Sequence, residues 1–173
     1  MGTEVNERKL IREAQRGSRA ALASLYAAHW GNAQRAAYLV VHDAGAAEDI
    51  AQEAFLAAVD GLDHFDRRRP FAPWLHRIVV NRAIDWARRE ALRRSAGDPE
   101  LAAAAVHDEP ATGELMPALA QLPPEQRAVV VLRHLLEYTP GEIGRMLELP
   151  RGTVNSRLRR GLDRLRDLIE VEG

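Results

Sequence analysis

The 173-residue sequence has no cysteine, a single lysine (Lys9), four serines and only 5% aromatic residues. Without thiols it can form no disulfide, no thiolate metal site and no cysteine nucleophile, a composition that suits a reducing compartment. Six histidines, at positions 29, 42, 64, 76, 107 and 134, never fall in H-x-x-x-H spacing, so no metal site is expected. No apolar run approaches the roughly 20 residues of a membrane span, and the first ten residues are polar. Membrane insertion and a secretory leader are therefore not expected, and the cytoplasm is the expected location. G-x-S-x-G, G-x-x-x-x-G-K-[ST] and G-x-G-x-x-G are all missing, so neither an enzymatic activity nor a cofactor is expected.

The chain does contain charge, arranged in blocks. Its net charge is -1, which by itself argues against a nucleic-acid partner. Yet residues 43–63 hold six acids (Asp43, Glu48, Asp49, Glu53, Asp60, Asp63) and no Lys or Arg, whereas residues 66–94 hold nine arginines against Asp66, Asp85 and Glu90. Adjacent acidic and basic surfaces suit two different partners, one of them a polyanion. A solvated surface laced with internal salt bridges accounts equally well for the charges alone.

Helical periodicity runs almost throughout, with no sustained alternation of period two, which predicts an all-α protein. Two small helical domains are expected: an N-terminal bundle over residues 1–91 and a C-terminal helix-turn-helix unit over 115–173, joined by a flexible linker over 92–114. Ser18 and Asp43 are candidate N-caps for the first two helices. A third helix is expected over residues 74–89, with Leu75, Ile78, Val79 and Trp86 inward and Arg77, Asn81, Ile84, Asp85 and Arg88 outward. The segment 92–114, with Gly97, Pro99, a polyalanine run and Pro110, reads as the linker, with a transient helix possible over 101–106. Fully extended it reaches at most about 80 Å, so the domains can bind separated sites.

Past the linker the capping signals sharpen. Thr139-Pro140-Gly141-Glu142 is a capping box with proline at the first helical position, and Glu148-Leu149-Pro150 breaks the short helix it starts. A second helix follows from about Gly152, with Val154, Leu158, Gly161, Leu162 and Leu165 inward. Two short helices about a tight turn make a helix-turn-helix, whose second helix enters the major groove. Arg151, Thr153, Asn155, Ser156, Arg157, Arg159 and Arg160 are the candidate duplex-reading set, rich in groups that bond base edges and phosphates. The other reading is a solvated arginine-rich helix of an interaction domain.

In the basic block, Phe65, Arg69, Phe71, Trp74, Arg77, Asn81, Arg88 and Arg89 mix cations, rings and an amide, the mixture that single-stranded nucleic acid requires. Trp74 and Trp86 sit at core spacing, which makes the loop over 65–72 the better candidate for base contact. In the acidic block, Asp49, Gln52, Glu53 and Leu56 share one helical face opposite the alanines, either a docking stripe for a partner helix or a solvated face.

Taken in order, these segments resemble the extracytoplasmic-function group of bacterial RNA polymerase sigma factors. Asp49-Ile50-Ala51-Gln52-Glu53-Ala54-Phe55 resembles the helix with which that family docks on the clamp helices of the polymerase β′ subunit. The resemblance implies docking by Asp49, Gln52, Glu53, Phe55 and Leu56. Pro73-Trp74-Leu75 with Arg77, Asn81, Asp85, Arg88 and Arg89 is similar to the helix that melts and reads the -10 element as a single strand. Residues 122–127 (Leu-Pro-Pro-Glu-Gln-Arg) and 152–158 (Gly-Thr-Val-Asn-Ser-Arg-Leu) resemble the domain that reads the -35 duplex. The partners so implied are core RNA polymerase, through β′ and the β flap, promoter DNA, and an anti-sigma protein. Asn155, Arg151 and Glu148 stand where the family more often has lysine, a small residue and glycine. The rival from another class is a stand-alone helix-turn-helix regulator that binds duplex operator without polymerase.

Overall fold

The computed structural model describes residues 2–97 and 115–172. Most of the segment expected as linker, including the candidate transient helix over 101–106, lies outside the described residues.

α1 (Gly2–Gln15) opens the chain, ahead of the Ser18 cap at which the sequence places the first helix. It is held by one apolar edge, Ile11 and Ala14, both buried. Gln15 then donates from Nε2 to the Leu62 and Phe65 carbonyls, each at 3.0 Å. α2 (Arg19–Val41) starts where the Ser18 hydroxyl accepts from the Ala21 amide. It ends at His42, whose left-handed backbone (φ 55°) closes the helix on the Tyr38 carbonyl. The very next residue, Asp43, caps α3 (Ala44–Gly61) by accepting from the Ala46 amide at 2.7 Å. This sharp junction turns α3 back along α2. Ala33, Ala36 and Ala37 of α2 and Ala47, Ala51, Ala54 and Ala58 of α3 are all buried, the small residues that let helix axes approach closely.

A single 3-10 turn (Leu62–His64) and a loop lead into α4 (Phe71–Ser95), which packs across α2 and α3 through Leu75, Val79, Val80 and Ala83. Each fully buried aliphatic side chain of this set contributes about 1.5–3 kcal/mol. α4 is longer than the expected 74–89, and the first residues assigned to the linker, 92–95, are helical.

The C-terminal domain is built on α8 (Arg151–Glu172), against which α5 (Leu115–Ala120), α6 (Pro124–Val130) and α7 (Pro140–Leu147) pack. α6 widens over Val131–Leu135, where the Leu136 amide donates to the Val131 carbonyl five residues back. The capping box at Thr139 and Glu142 is formed in both directions. Gly161 permits the close approach of α8 to α6: a β-carbon there would lie 2.8 Å from Val130 Cγ2. Leu162, expected inward, is exposed instead.

The two domains touch. α4 packs on α6 and α7, and α2 meets α6. Arg127, from α6, is 8% exposed and donates from Nη1 to the Val40 carbonyl at 2.6 Å. From Nη2 it donates to the Ala120 and Leu122 carbonyls. Burial and the nearby Arg94 charge lower its pKa to about 10, so it remains a cation at neutral pH. Its charge is met by carbonyl dipoles, one of them at the C-terminal end of α2, where a cation is favoured.

Candidate polymerase and nucleic-acid interfaces

Three surfaces gather the candidate residues. On α3, Asp49, Gln52, Glu53 and Leu56 are exposed on one face as the spacing requires. Glu53 pairs with Arg82 of α4 at 3.1 Å, and Gln52 bonds Glu48 at 3.3 Å. Phe55 does not join them. It is buried, with its ring 4.9 Å from Tyr26 and 6.0 Å from Trp30, because it lies on the face that turns toward α2. It floors a trough of about 380 Å³ walled by Leu22, Tyr26, Leu56 and Val59. Tyr26 and Val59 are both exposed beside Leu56.

The basic surface departs further from expectation. Phe65 and Phe71 are 7% and 3% exposed, so neither presents a free face to a base. They form a cluster with Trp74, at centroid distances of 4.6 and 5.5 Å, and Phe71 also meets His29 at 5.0 Å. Ring burial outweighs ring exposure here because the loop between the 3-10 turn and α4 must cover the end of the bundle. Trp74 is the half-exposed member, and Arg69 stands free of the cluster in solvent. The Asp66 side chain organises this loop, accepting from the Arg68 amide and from its guanidinium.

On α4, Arg77, Asn81 and Arg88 share a face, and that face meets the C-terminal domain. Arg77 pairs with Glu148, and Arg88 with Glu125. Asn81 donates to the Met146 carbonyl at 3.2 Å. Ile84, expected outward, is buried for the same reason. His76 Nδ1 shares a 2.6 Å hydrogen bond with the Tyr138 hydroxyl. Burial, and secondarily the neighbouring His29, lowers the His76 pKa to about 4, while burial pushes Tyr138 up to about 12, so both are neutral. Arg89 is exposed on the flank beside Trp86 and Asp49.

The third surface is on α8. Arg151, Asn155, Arg159 and Arg160 are exposed, and Thr153 and Ser156 are half-buried. The Ser156 hydroxyl donates to the Thr153 carbonyl and lies 3.3 Å from Arg160 Nη2. Arg157 is half-buried; burial works to raise the Glu125 carboxyl, but the hydrogen bond from Arg88, with a smaller contribution from the Arg157 charge, holds it below its ordinary value. The turn ahead of α8 depends on Gly144, where a β-carbon would come within 2.8 Å of the Leu149 carbonyl, and on Glu148 in a left-handed conformation (φ 56°). Among the described residues, no group of three His, Cys, Asp or Glu could hold a metal ion, and no helix is long and apolar enough to cross a membrane.

A helical bundle followed by a helix-turn-helix that carries an exposed basic face defines the class of two-domain promoter readers, and known proteins bear this out. Residues 25–93 match sigma-70 region 2, and residues 118–167 match sigma-70 region 4. The chain is 30% identical to the ECF RNA polymerase sigma factor SigW of Bacillus subtilis (strain 168), over 94% of this chain and 96% of that protein. It is 34% identical to the ECF sigma factor SigM of Mycobacterium tuberculosis (strain ATCC 25618 / H37Rv), over 96% and 86%. Among solved structures, CnrH in complex with the cytosolic domain of CnrY superposes with a TM-score of 0.71, at 30% identity and coverage of 96% and 99%. The sigma factor RpoE in complex with the anti-sigma factor NepR from Bartonella quintana shares the fold, with a TM-score of 0.69 at 20% identity. The chain belongs to the extracytoplasmic-function sigma factors. It is therefore a promoter-specificity factor of RNA polymerase, and a stand-alone operator-binding regulator is disfavoured because the upstream half is itself a sigma domain.

Proposed function

We propose that the three surfaces divide the work of promoter recognition among them. The exposed α3 face, Asp49, Gln52, Glu53 and Leu56, docks on the β′ clamp helices of core polymerase, with the apolar trough beside it as a second element of that contact. On α8, Arg151, Asn155, Arg159 and Arg160 enter the -35 major groove, while Thr153, Ser156 and Arg157 support them from its flank. Arg77, Asn81, Arg88 and Arg89 of α4, with Arg69 and Trp74, take the -10 element as a separated strand. Phe65 and Phe71 act by bracing Trp74. The proposed partners are core polymerase, including the β flap, promoter DNA, and an anti-sigma protein that covers the same faces. The chain acts in the cytoplasm and carries no catalysis of its own.

The observation that carries this reading is the co-occurrence, in one chain, of the exposed acidic stripe on α3 and the exposed arginine and asparagine face on α8. Reconstituted transcription with purified core polymerase on a promoter library tests it. Initiation at a shared set of sequences, dependent on this protein, is the expected result. Binding to duplex without any effect on initiation, in the absence of inhibitors, would show the reading to be wrong.

A further inference from the structure

One cluster of charge takes no part in the three surfaces above. Arg8 and Arg12 of α1, and Arg16 just past its end, follow one another at four-residue spacing, and Arg19 opens α2; all four are exposed. Among the described residues, none of the four meets a carboxylate. The acids of α1 that could answer them are engaged elsewhere: Glu7 bonds His29 at 2.8 Å, and Glu13 reaches Lys9 at 3.9 Å. Like charges four residues apart on a helix repel, so the ridge costs α1 stability while it faces water alone. The ridge also has a direction. Arg8 and Arg12 lie two turns and one turn ahead of Gln15, hence on its side of the helix, and Gln15 fastens α1 to the Leu62 and Phe65 carbonyls. The cations therefore border the 3-10 turn and the loop after it, which adds Arg67 and Arg69, both exposed and without an ion pair. Asp66 is taken by Arg68, and Asp63, exposed on the turn, pairs with none of these arginines. From the same turn, His64 lines the hollow of about 650 Å³ beside Trp74.

We propose that this ridge is a backbone track for nucleic acid. It carries the phosphates of the separated strand beyond the -10 element, on the side of Trp74 away from Arg88 and Arg89. This rests on the assignment of Arg69 and Trp74 to that strand. Three features select the partner. Arginines four residues apart stand about 6 Å apart along the helix, comparable with neighbouring phosphates of an extended strand. Their guanidinium groups offer paired donors that match phosphate oxygens two at a time. The described part of α1 exposes no large apolar side chain, so a lipid surface would gain charge contacts alone and no buried apolar face. Contacts of this kind hold a strand in place and carry no sequence preference of their own. The ridge therefore lengthens the strand footprint without altering which promoters are chosen.

Strand binding by the complex of this protein with core polymerase tests the track. The probes are the non-template -10 single strand of a promoter that the complex opens, the same strand lengthened at its 5′ or its 3′ end by an oligothymidine tract, and a scrambled short strand. One of the lengthened strands should bind the wild type more tightly than the short one. R8Q/R12Q/R16Q should lose that gain, a fall on the order of tenfold to a hundredfold at about 0.1 M salt, with the slope of log K against log salt reduced by about 0.7 for each cation. Its affinity for the short strand should not change. R8K/R12K/R16K, which keeps the charges, should retain most of the gain. R35Q/R164Q/R166Q, the same loss of charge at other exposed sites, should retain all of it. If circular dichroism shows that the glutamine triple loses helix, R16Q/R19Q, outside α1, gives the reading through its own change in slope. No gain at either end, or a gain that survives R8Q/R12Q/R16Q with the slope intact, overturns the track. Absent any gain, binding to phosphatidylserine–phosphatidylcholine vesicles that R8Q/R12Q/R16Q abolishes assigns the ridge to a lipid surface instead. A wild type that binds the short and the scrambled strands alike overturns the -10 assignment of the loop, while the slope on the lengthened strand still decides the track.

Discussion

Single residues decide whether the helix-turn-helix closes. Gly144 has a backbone carbonyl, that of Leu149, where a side chain would begin, and a backbone contact yields less readily than the tip of a side chain. Gly144→Ala is expected to destabilise the C-terminal domain by about 1–3 kcal/mol, read as a lower urea midpoint with an unchanged m-value. Tyr138→Phe removes the partner of a buried, neutral His76 and should cost about 1 kcal/mol, checked by the same titration at neutral pH. At this scale the sequence was only partly legible. The caps at Ser18, Asp43 and Thr139 were readable because a cap joins neighbours three residues apart. Burial of Phe65 and Phe71 was not, because it depends on a ring cluster that also draws on His29, far away along the chain.

Helices present faces, and the face as a unit sets the effect of a substitution. On α3 the exposed stripe was legible from spacing alone; what spacing could not show is that Glu53 is already engaged by Arg82. Gln52→Ala with Glu53→Ala is expected to weaken binding to core polymerase by roughly 5- to 30-fold, the loss typical of one or two interface residues that matter, as measured by fluorescence titration of labelled protein. Unaltered affinity would remove α3 from the docking surface. On α8, Arg159→Ala and Arg160→Ala should weaken duplex binding, and removal of each phosphate-binding cation should reduce the slope of log K against log salt by about one. A change confined to particular promoter sequences, with the slope intact, would make the residue a base reader. α1 was missed because its buried edge is narrow, and its hold on the bundle comes from Gln15 reaching two distant carbonyls.

For the whole molecule, the buried histidines tie stability to acidity. Burial lowers both His76 and His42 to about 4, with His29 and Arg127 respectively adding to the effect. Each imidazole is held neutral when folded and gains a proton more readily when unfolded. Their contribution is therefore complete above about pH 6.5 and is lost as the pH falls toward 4. By pH 5 the loss is on the order of 2 kcal/mol for each histidine. Urea titrations at pH 7.5 and pH 5 should show a lower midpoint in acid, and no change between them would mean that the histidines reach solvent. The all-α fold and its division in two were legible because helical periodicity is local. The contact between the halves was not: its pairs, such as Arg88 with Glu125 and Arg127 with Val40, are 37 and 87 residues apart.

Arg127 and the Val40 carbonyl belong to different domains, and nothing in that hydrogen bond requires the two domains to come from one chain. A tether of this kind supplies an effective concentration in the millimolar range. Below that range, each C-terminal domain will find its own α4 first. In strongly concentrated protein, reciprocal exchange becomes competitive, and two chains can complete each other's interface as a swapped dimer that reuses the same hydrogen bonds and ion pairs.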